Sequence, residues 1–83
     1  MQMLNIGYNN FLASNRVLAV LNPESAPMKR LREEARQSHA LIDATQGRRT
    51  RSIILMDNGT VVLSGIQEVT LVQRLAAAGD SDT

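Results

Sequence analysis

Ile53-Ile54-Leu55-Met56-Asp57-Asn58-Gly59-Thr60-Val61-Val62-Leu63-Ser64 reads as two buried strands joined by a tight turn. Apolar residues fill both runs, and Asn58-Gly59 accepts the two positive φ angles of a type I′ hairpin. Taken as a two-residue loop, the turn sets Met56 opposite Val61 and Leu55 opposite Val62. Side chains alternate between faces along a strand, so both faces of this sheet are apolar and both must be covered.

Upstream, Leu4, Ile6 and Tyr8 alternate with polar or small residues, which predicts a short half-buried strand turned by Asn9-Asn10. A second strand is expected over residues 16 to 21, apolar on both faces after Arg16, and Asn22-Pro23 ends it. Ser25 as cap and Pro27 near the first turn open a helix over residues 26 to 39, with Met28, Leu31 and Ala35 on the core side. Lys29, Arg32 and Arg36 form a basic ridge on its flank, either a solvated face or an additional DNA contact. Lys29–Glu33 and Arg30–Glu34 have the spacing of helical ion pairs. Leu41 to Thr45 is a short strand leading to the Gln46-Gly47 turn. Downstream, residues 68 to 78 form a second helix with Val69, Val72, Leu75 and Ala76 inward, and residues 79 to 83 are a frayed acidic tail. The order β-β-α-β-β-β-α defines an α+β fold: an antiparallel or mixed sheet of four to five strands with two helices, in one domain spanning residues 1 to 78.

With 83 residues, no cysteine and a single histidine, the chain has neither a disulfide framework nor a zinc site to support a small core. Oligomerisation is the remaining common route, and one face of the sheet is expected to pack partly on neighbouring subunits. The net charge is only +1, but it is unevenly spread. From Arg16 to Arg51 eight bases face four acids, while the remainder holds one base and four acids. No apolar run approaches the roughly 20 residues of a membrane span, and the N-terminus lacks a signal-peptide pattern, so a cytoplasmic protein is expected.

Enzyme chemistry is poorly represented. There is no cysteine nucleophile, no Gly-rich phosphate loop and no dinucleotide fingerprint. His39 is expected near the core stripe at the end of the first helix, favourably placed in the helix dipole. Asp57-Asn58-Gly59 lacks the spacing of a calcium loop and is a turn. No cofactor, metal or small-molecule ligand is implied. With only Tyr8 and Phe11 as aromatics, single-strand binding by base stacking is disfavoured.

The chemistry that does stand out is Gly47-Arg48-Arg49-Thr50-Arg51, three guanidinium groups within four residues. Like charges so placed repel unless an anion sits among them, and the planar fork of arginine matches phosphate oxygens two at a time. On an extended backbone Arg49 and Arg51 share the side of Ile53 and Leu55, with Arg48 opposite. The competing reading is an interaction scaffold whose arginines knit subunits or bind an acidic partner. Arg16 alone is uninformative, and could be exposed or paired with Asp43 or Glu24.

Asn5-Ile6-Gly7, Ser14-Asn15-Arg16, the block Pro23-Glu24-Ser25-Ala26-Pro27 with Lys29-Arg30, Leu41-Ile42-Asp43-Ala44-Thr45, Gly47 to Arg51 and Ser64 together resemble the RemA family, small bacterial regulators of extracellular-matrix genes. The similarity spans nearly the whole chain. It implies a double-stranded DNA-binding transcriptional regulator that assembles into a homo-oligomeric ring of seven or eight subunits, bends or wraps DNA, and is nucleoid-associated. It further implies DNA-binding roles for Arg16, Arg48, Arg49 and Arg51, and a structural role for Pro27, beside those of Gly47, Asn58 and Gly59 in their turns.

Overall fold

Two adjacent strands, β5 (Ser52–Met56) and β6 (Val61–Ser64), form the centre of the computed structural model, which describes residues 2–81. They pair antiparallel, but one residue out of the expected register: Leu55 faces Val61, Ile54 faces Val62, Ile53 faces Leu63 and Ser52 faces Ser64. The loop has three residues, Asp57-Asn58-Gly59, closed by Gly59 N–H to the Met56 carbonyl (3.1 Å) and Met56 N–H to the Thr60 carbonyl (2.9 Å). Of the loop residues only Gly59 has a positive φ, at 86°. This is a type I turn followed by a glycine bulge, rather than a type I′ turn. The Asn58 side chain accepts the Thr60 N–H at 3.0 Å, a local bond that lets Asn58 stay right-handed and leaves the left-handed step to Gly59 alone.

Outward from this pair lie β3 (Val17–Leu21), antiparallel to β5, and β4 (Leu41–Asp43), parallel to β6. The four-stranded sheet is therefore mixed, in the order β3-β5-β6-β4. A separate two-stranded hairpin is made by β1 (Met3–Gly7) and β2 (Asn10–Ala13). Its turn is Tyr8-Asn9, with φ of 53° and 64°, so Tyr8 is a turn residue and not the end of a strand. With helices α1 (Ala26–Gln37) and α2 (Glu68–Ser81), the fold is α+β in the expected strand and helix order, with β2 as an additional strand.

Both faces of the central sheet are closed by the chain itself. Leu4 and Ile6 of β1 and Leu71 of α2 pack on Ile54, Met56 and Val62. On the opposite face Ala35, flanked by Met28 and Leu31 of α1, packs on Ile53, Val61 and Leu63. The β1–β2 hairpin supplies the cover that sequence patterning assigns to a neighbouring subunit. Fully burying an aliphatic side chain of this size contributes about 1.5–3 kcal/mol, and Ile53, Ile54 and Val62 are all completely buried. Exposed apolar residues lie on the β1–β2 hairpin, on α2 and on the edges of the four-stranded sheet, where Leu18 of β3 is 65% exposed and Ile42 of β4 52%.

The helices depart from expectation in several ways. Ser25 caps α1 by accepting the Met28 N–H, and Pro27 sits in the first turn as expected. The helix ends two residues early, however, in a motif with Ala40 N–H on the Ala35 carbonyl and His39 N–H on that of Arg36. His39, at φ 60°, occupies the left-handed position of that motif and is exposed, so it is not on the core stripe. Among the described residues the expected Lys29–Glu33 and Arg30–Glu34 pairs do not form, and Glu33 meets Arg36 at 3.9 Å. In α2 the inward residues are Leu71 and Leu75, while Val69, Val72 and Ala76 face outward. The helix is rotated to seat Leu71 in the core, and Arg74 holds that rotation by donating to the Asn5 carbonyl at 2.8 Å. It also continues through Ser81, where a frayed tail is expected, since Ala76-Ala77-Ala78 carry strong helix propensity up to Gly79. The rest of that tail, Asp82 and Thr83, lies outside the described residues.

Two buried serines tie the layers together. Ser64 donates its hydroxyl to the Ile6 carbonyl (2.9 Å) and accepts the Ile66 N–H (3.0 Å), while Ser52 donates to the Ile66 carbonyl (2.8 Å). Ser64→Ala leaves buried polar groups on two segments unpaired, which costs about 1–3 kcal/mol of unfolding free energy in urea denaturation.

Candidate nucleic-acid interface

The arginine loop grows out of β4. That strand stops at Asp43, two residues before its expected end, because the Asp43 carboxylate accepts both the N–H (2.9 Å) and the hydroxyl (2.6 Å) of Thr45. Thr45 is buried, and its carbonyl accepts the Arg48 N–H at 3.0 Å. Gln46 and Gly47 between them have φ of 56° and 76°, so this turn, like Tyr8-Asn9, has the two consecutive left-handed residues of a type I′ turn, which Asn58-Gly59 lacks. A side chain at Gly47 would meet nothing within 4 Å. Glycine is therefore suited to Gly47 by backbone conformation and not by space.

The bonds to Thr45 lower the Asp43 pKa. The threonine hydroxyl contributes most and its N–H next; burial opposes them, and the positive charges of Arg32 and Arg36 add lesser lowering effects.

Arg48, Arg49 and Arg51 lie in the irregular segment before β5, all exposed, and the segment is fastened to β6 by the Arg51 N–H on the Ser64 carbonyl (2.8 Å). The opposite directions expected for Arg48 and Arg49 are realised. The Arg48 guanidinium lies over the Tyr8 ring, 5.5 Å from its centroid, on the side of the β1–β2 hairpin. Arg49 turns to the side of α1, where its Nη2 donates to Glu24 Oε1 at 2.5 Å. There it forms the wall between two open clefts. One, of 460 Å³, is lined by Pro23, Glu24, Lys29, Arg32, Arg49 and Thr50. The other, of 290 Å³, runs past Arg51 to the start of α2 at Gln67, Glu68 and Val69.

Of the basic ridge on α1, Lys29 and Arg32 thus join Arg49, while Arg36 is turned to Glu33. Arg16 is not part of this group. It closes a 3₁₀ turn before β3, its carbonyl accepts the Asp57 N–H (2.8 Å), and its Nη1 donates to Asp57 Oδ2 at 3.1 Å. Its partner is therefore neither Asp43 nor Glu24. Val17 pairs with Met56, whereas the cluster precedes Ser52. Arg16 and the cluster therefore flank opposite ends of a five-residue strand, separated by roughly 13 Å or more at the usual rise per residue. A patch of four arginines does not close within one chain.

Sequence reasoning missed Tyr8, Glu24, Thr50 and Gln67 as members of this surface. Glu24 meets Arg49 across 25 positions in the chain, a distance at which no periodicity carries a signal. Pro23-Glu24 immediately after a strand was the one usable hint, since it places a carboxylate at a strand end. Among the described residues no group of His, Cys, Asp or Glu could hold a metal ion, and no helix is long and apolar enough to cross a membrane.

Residues 3–75 match the family described as RemA-like, extracellular matrix regulatory protein A-like. Proteins carrying the name "Putative regulatory protein" are similar over most of the chain. One from Syntrophobacter fumaroxidans is 55% identical over 78 residues, covering 94% of this chain and 83% of its own. Another from Nitratidesulfovibrio vulgaris is 55% identical over 73 residues, covering 88% and 83%. A third, from Bacillus cytotoxicus, is 55% identical over 75 residues, covering 90% and 86%.

The turn that presents the arginines has a defined acid response. The Asp43 carboxyl titrates lower in the folded chain than in the unfolded one, so its ionised form stabilises the fold above the unfolded pKa. That contribution disappears as pH falls through the folded value. In urea denaturation across the acid range, Asp43→Asn is less stable than wild type at neutral pH. The gap closes as the medium becomes strongly acidic.

Proposed function

We propose, from the premise that this chain belongs to the RemA-like family, that it is a regulatory protein acting as a double-stranded DNA-binding transcriptional regulator, of extracellular-matrix genes in particular. On this reading it contacts DNA through arginines repeated around a homo-oligomeric ring and bends or wraps the duplex. Such a regulator works in the cytoplasm on the nucleoid, without catalysis.

The observation that carries the reading is the exposed loop Arg48-Arg49-Thr50-Arg51, held out by the Gln46-Gly47 turn and continuous with Lys29 and Arg32 along an open cleft. The chemistry of that surface suits phosphates: several cationic donors, no enclosed pocket, and only one aromatic ring, Tyr8, already covered by Arg48. Phosphate contacts position a protein on DNA without reading bases. Selectivity then falls to sequences that bend or narrow their minor groove at low cost.

One chain holds too few such contacts for tight binding, since non-specific contact of this kind gives about 10⁻⁴–10⁻⁶ M at physiological salt. Repetition in an assembly raises avidity by about 10²–10⁴. Two features support repetition. Arg16 stands at the far end of the sheet from the cluster, so copies arranged around a duplex would spread arginines along it. Exposed Leu18 and Ile42 lie on opposite edges of the sheet, as a head-to-tail contact that closes into a ring requires. A scaffold that binds an acidic partner is the second reading, favoured by one observation: Arg16 and Arg49 both already accept a carboxylate as partner.

Titration of a long labelled duplex against salt tests the first reading. Arg49→Ala weakens binding and lowers the slope of log K against log salt by about 0.9 for each phosphate that is no longer neutralised. An unchanged slope assigns Arg49 to the scaffold reading. Ile42→Asp places a charge on an exposed edge without touching the core, so the folded chain persists in circular dichroism while light scattering reports a smaller species and weaker duplex binding. A wild-type chain that is monomeric at micromolar concentration removes the ring.

A further inference from the structure

Two of the four arginines expected to meet DNA are already held by carboxylates, at opposite ends of the sheet. Arg49 binds Glu24, and Arg16 binds Asp57. The third ion pair among the described residues, Arg36–Glu33, is a long contact within one helix and has no such placement. Arg48 is steered by an uncharged ring instead, and Arg51 has no ion pair among the described residues.

Both carboxylates are set on constrained backbone. Glu24 follows buried Pro23, and its N–H donates to the Asn22 side chain at 2.9 Å. Asp57 belongs to the β5–β6 turn, and its own N–H donates to the carbonyl of the arginine it pairs with. Each acid is therefore presented to its arginine by the fold. The pairs are also exposed, with side chains 69% and 66% accessible for Arg49–Glu24 and 64% and 35% for Arg16–Asp57.

A carboxylate on a guanidinium uses the same paired donors that a phosphate would use. We propose that Glu24 and Asp57 are resident competitors for the DNA phosphates, latches that each contact with DNA must displace and that hold down the affinity of a single copy. This rests on the DNA-binding reading above. Exposed ion pairs shift an equilibrium by roughly 1.4- to 5-fold each, so one latch alone is slight. The effect recurs at every contact, so brief encounters of one copy with any duplex stay weak, and only DNA that engages many copies together is retained.

Charge-matched variants test this by duplex titration at fixed salt. Glu24→Gln and Asp57→Asn each remove one negative charge beside an arginine, while Glu34→Gln removes one from an exposed position on α1 that pairs with no arginine among the described residues. The latch predicts that the first two bind more tightly than Glu34→Gln by about 1.4- to 5-fold per engaged contact. Equal tightening in all three variants reduces the effect to net charge and overturns the latch. Binding weaker than wild type in the first two shows that the carboxylates orient the arginines for DNA, and overturns it equally. If wild type binds and Arg49→Ala does not, either of those outcomes leaves the DNA-binding reading intact. If wild type itself fails to hold a duplex at low salt, both fall together.

Discussion

The ladder between β5 and β6 is flanked on both sides by strands and covered on both faces, so every other element takes its position from it. Ile54 and Val62 face the β1–β2 hairpin and α2, while Ile53, Leu63 and Val61 face α1. Because side chains alternate strictly along a strand, a one-residue slip would send each apolar set to the wrong layer. Gly59 is the residue that prevents the slip, since its single left-handed step sets the length of the loop. Ser52 and Ser64 at the far end of the ladder then fix β1 and the approach to α2.

That rigid centre explains how a nearly neutral chain can offer a concentrated positive surface. The arginine loop is suspended between the end of β4 and the start of β5, anchored by Asp43–Thr45 on one side and by the Arg51–Ser64 backbone bond on the other. Its side chains diverge because Tyr8 draws one and Glu24 another. Cations separated in this way repel less than a bundled triplet would, and they present a broad surface rather than a pocket. A broad surface suits a polyanion better than a small anionic ligand.

Among the described residues, ion pairing is confined to places where it does not stabilise much. Exposed pairs of this type contribute little to folding, and the core contains no ionised group among the described residues. The stability of the domain rests on its two apolar clusters and the serine bonds between layers. The arginines and their carboxylates are left to surface chemistry, where an exchange of one anion for another is cheap and fast.

Much of this was legible in the residues alone. Local signals were reliable where a few neighbouring side chains decide the outcome: the Ser25 cap, Pro27 in the first helical turn, the strand character of Ile53 to Met56, the α+β order and the Gly47 turn. They failed where a turn could close in more than one way, or where distant segments had to be compared. The hairpin register turned on Asn58 bonding Thr60, and β2 was hidden because Phe11 is exposed on a short two-stranded ribbon. The face of α2 was misread because Val69 and Val72 form as apolar a stripe as Leu71 and Leu75, and only the position of Asn5 and the packing of the core select between them. For the site, the sequence by itself determined which residues could bind phosphate, because arginine chemistry is a property of the side chain. Only the tertiary structure decided which of them stand together, since the length of β5 separates Arg16 from Arg49 and long-range folding brings Glu24 and Asp57 onto them.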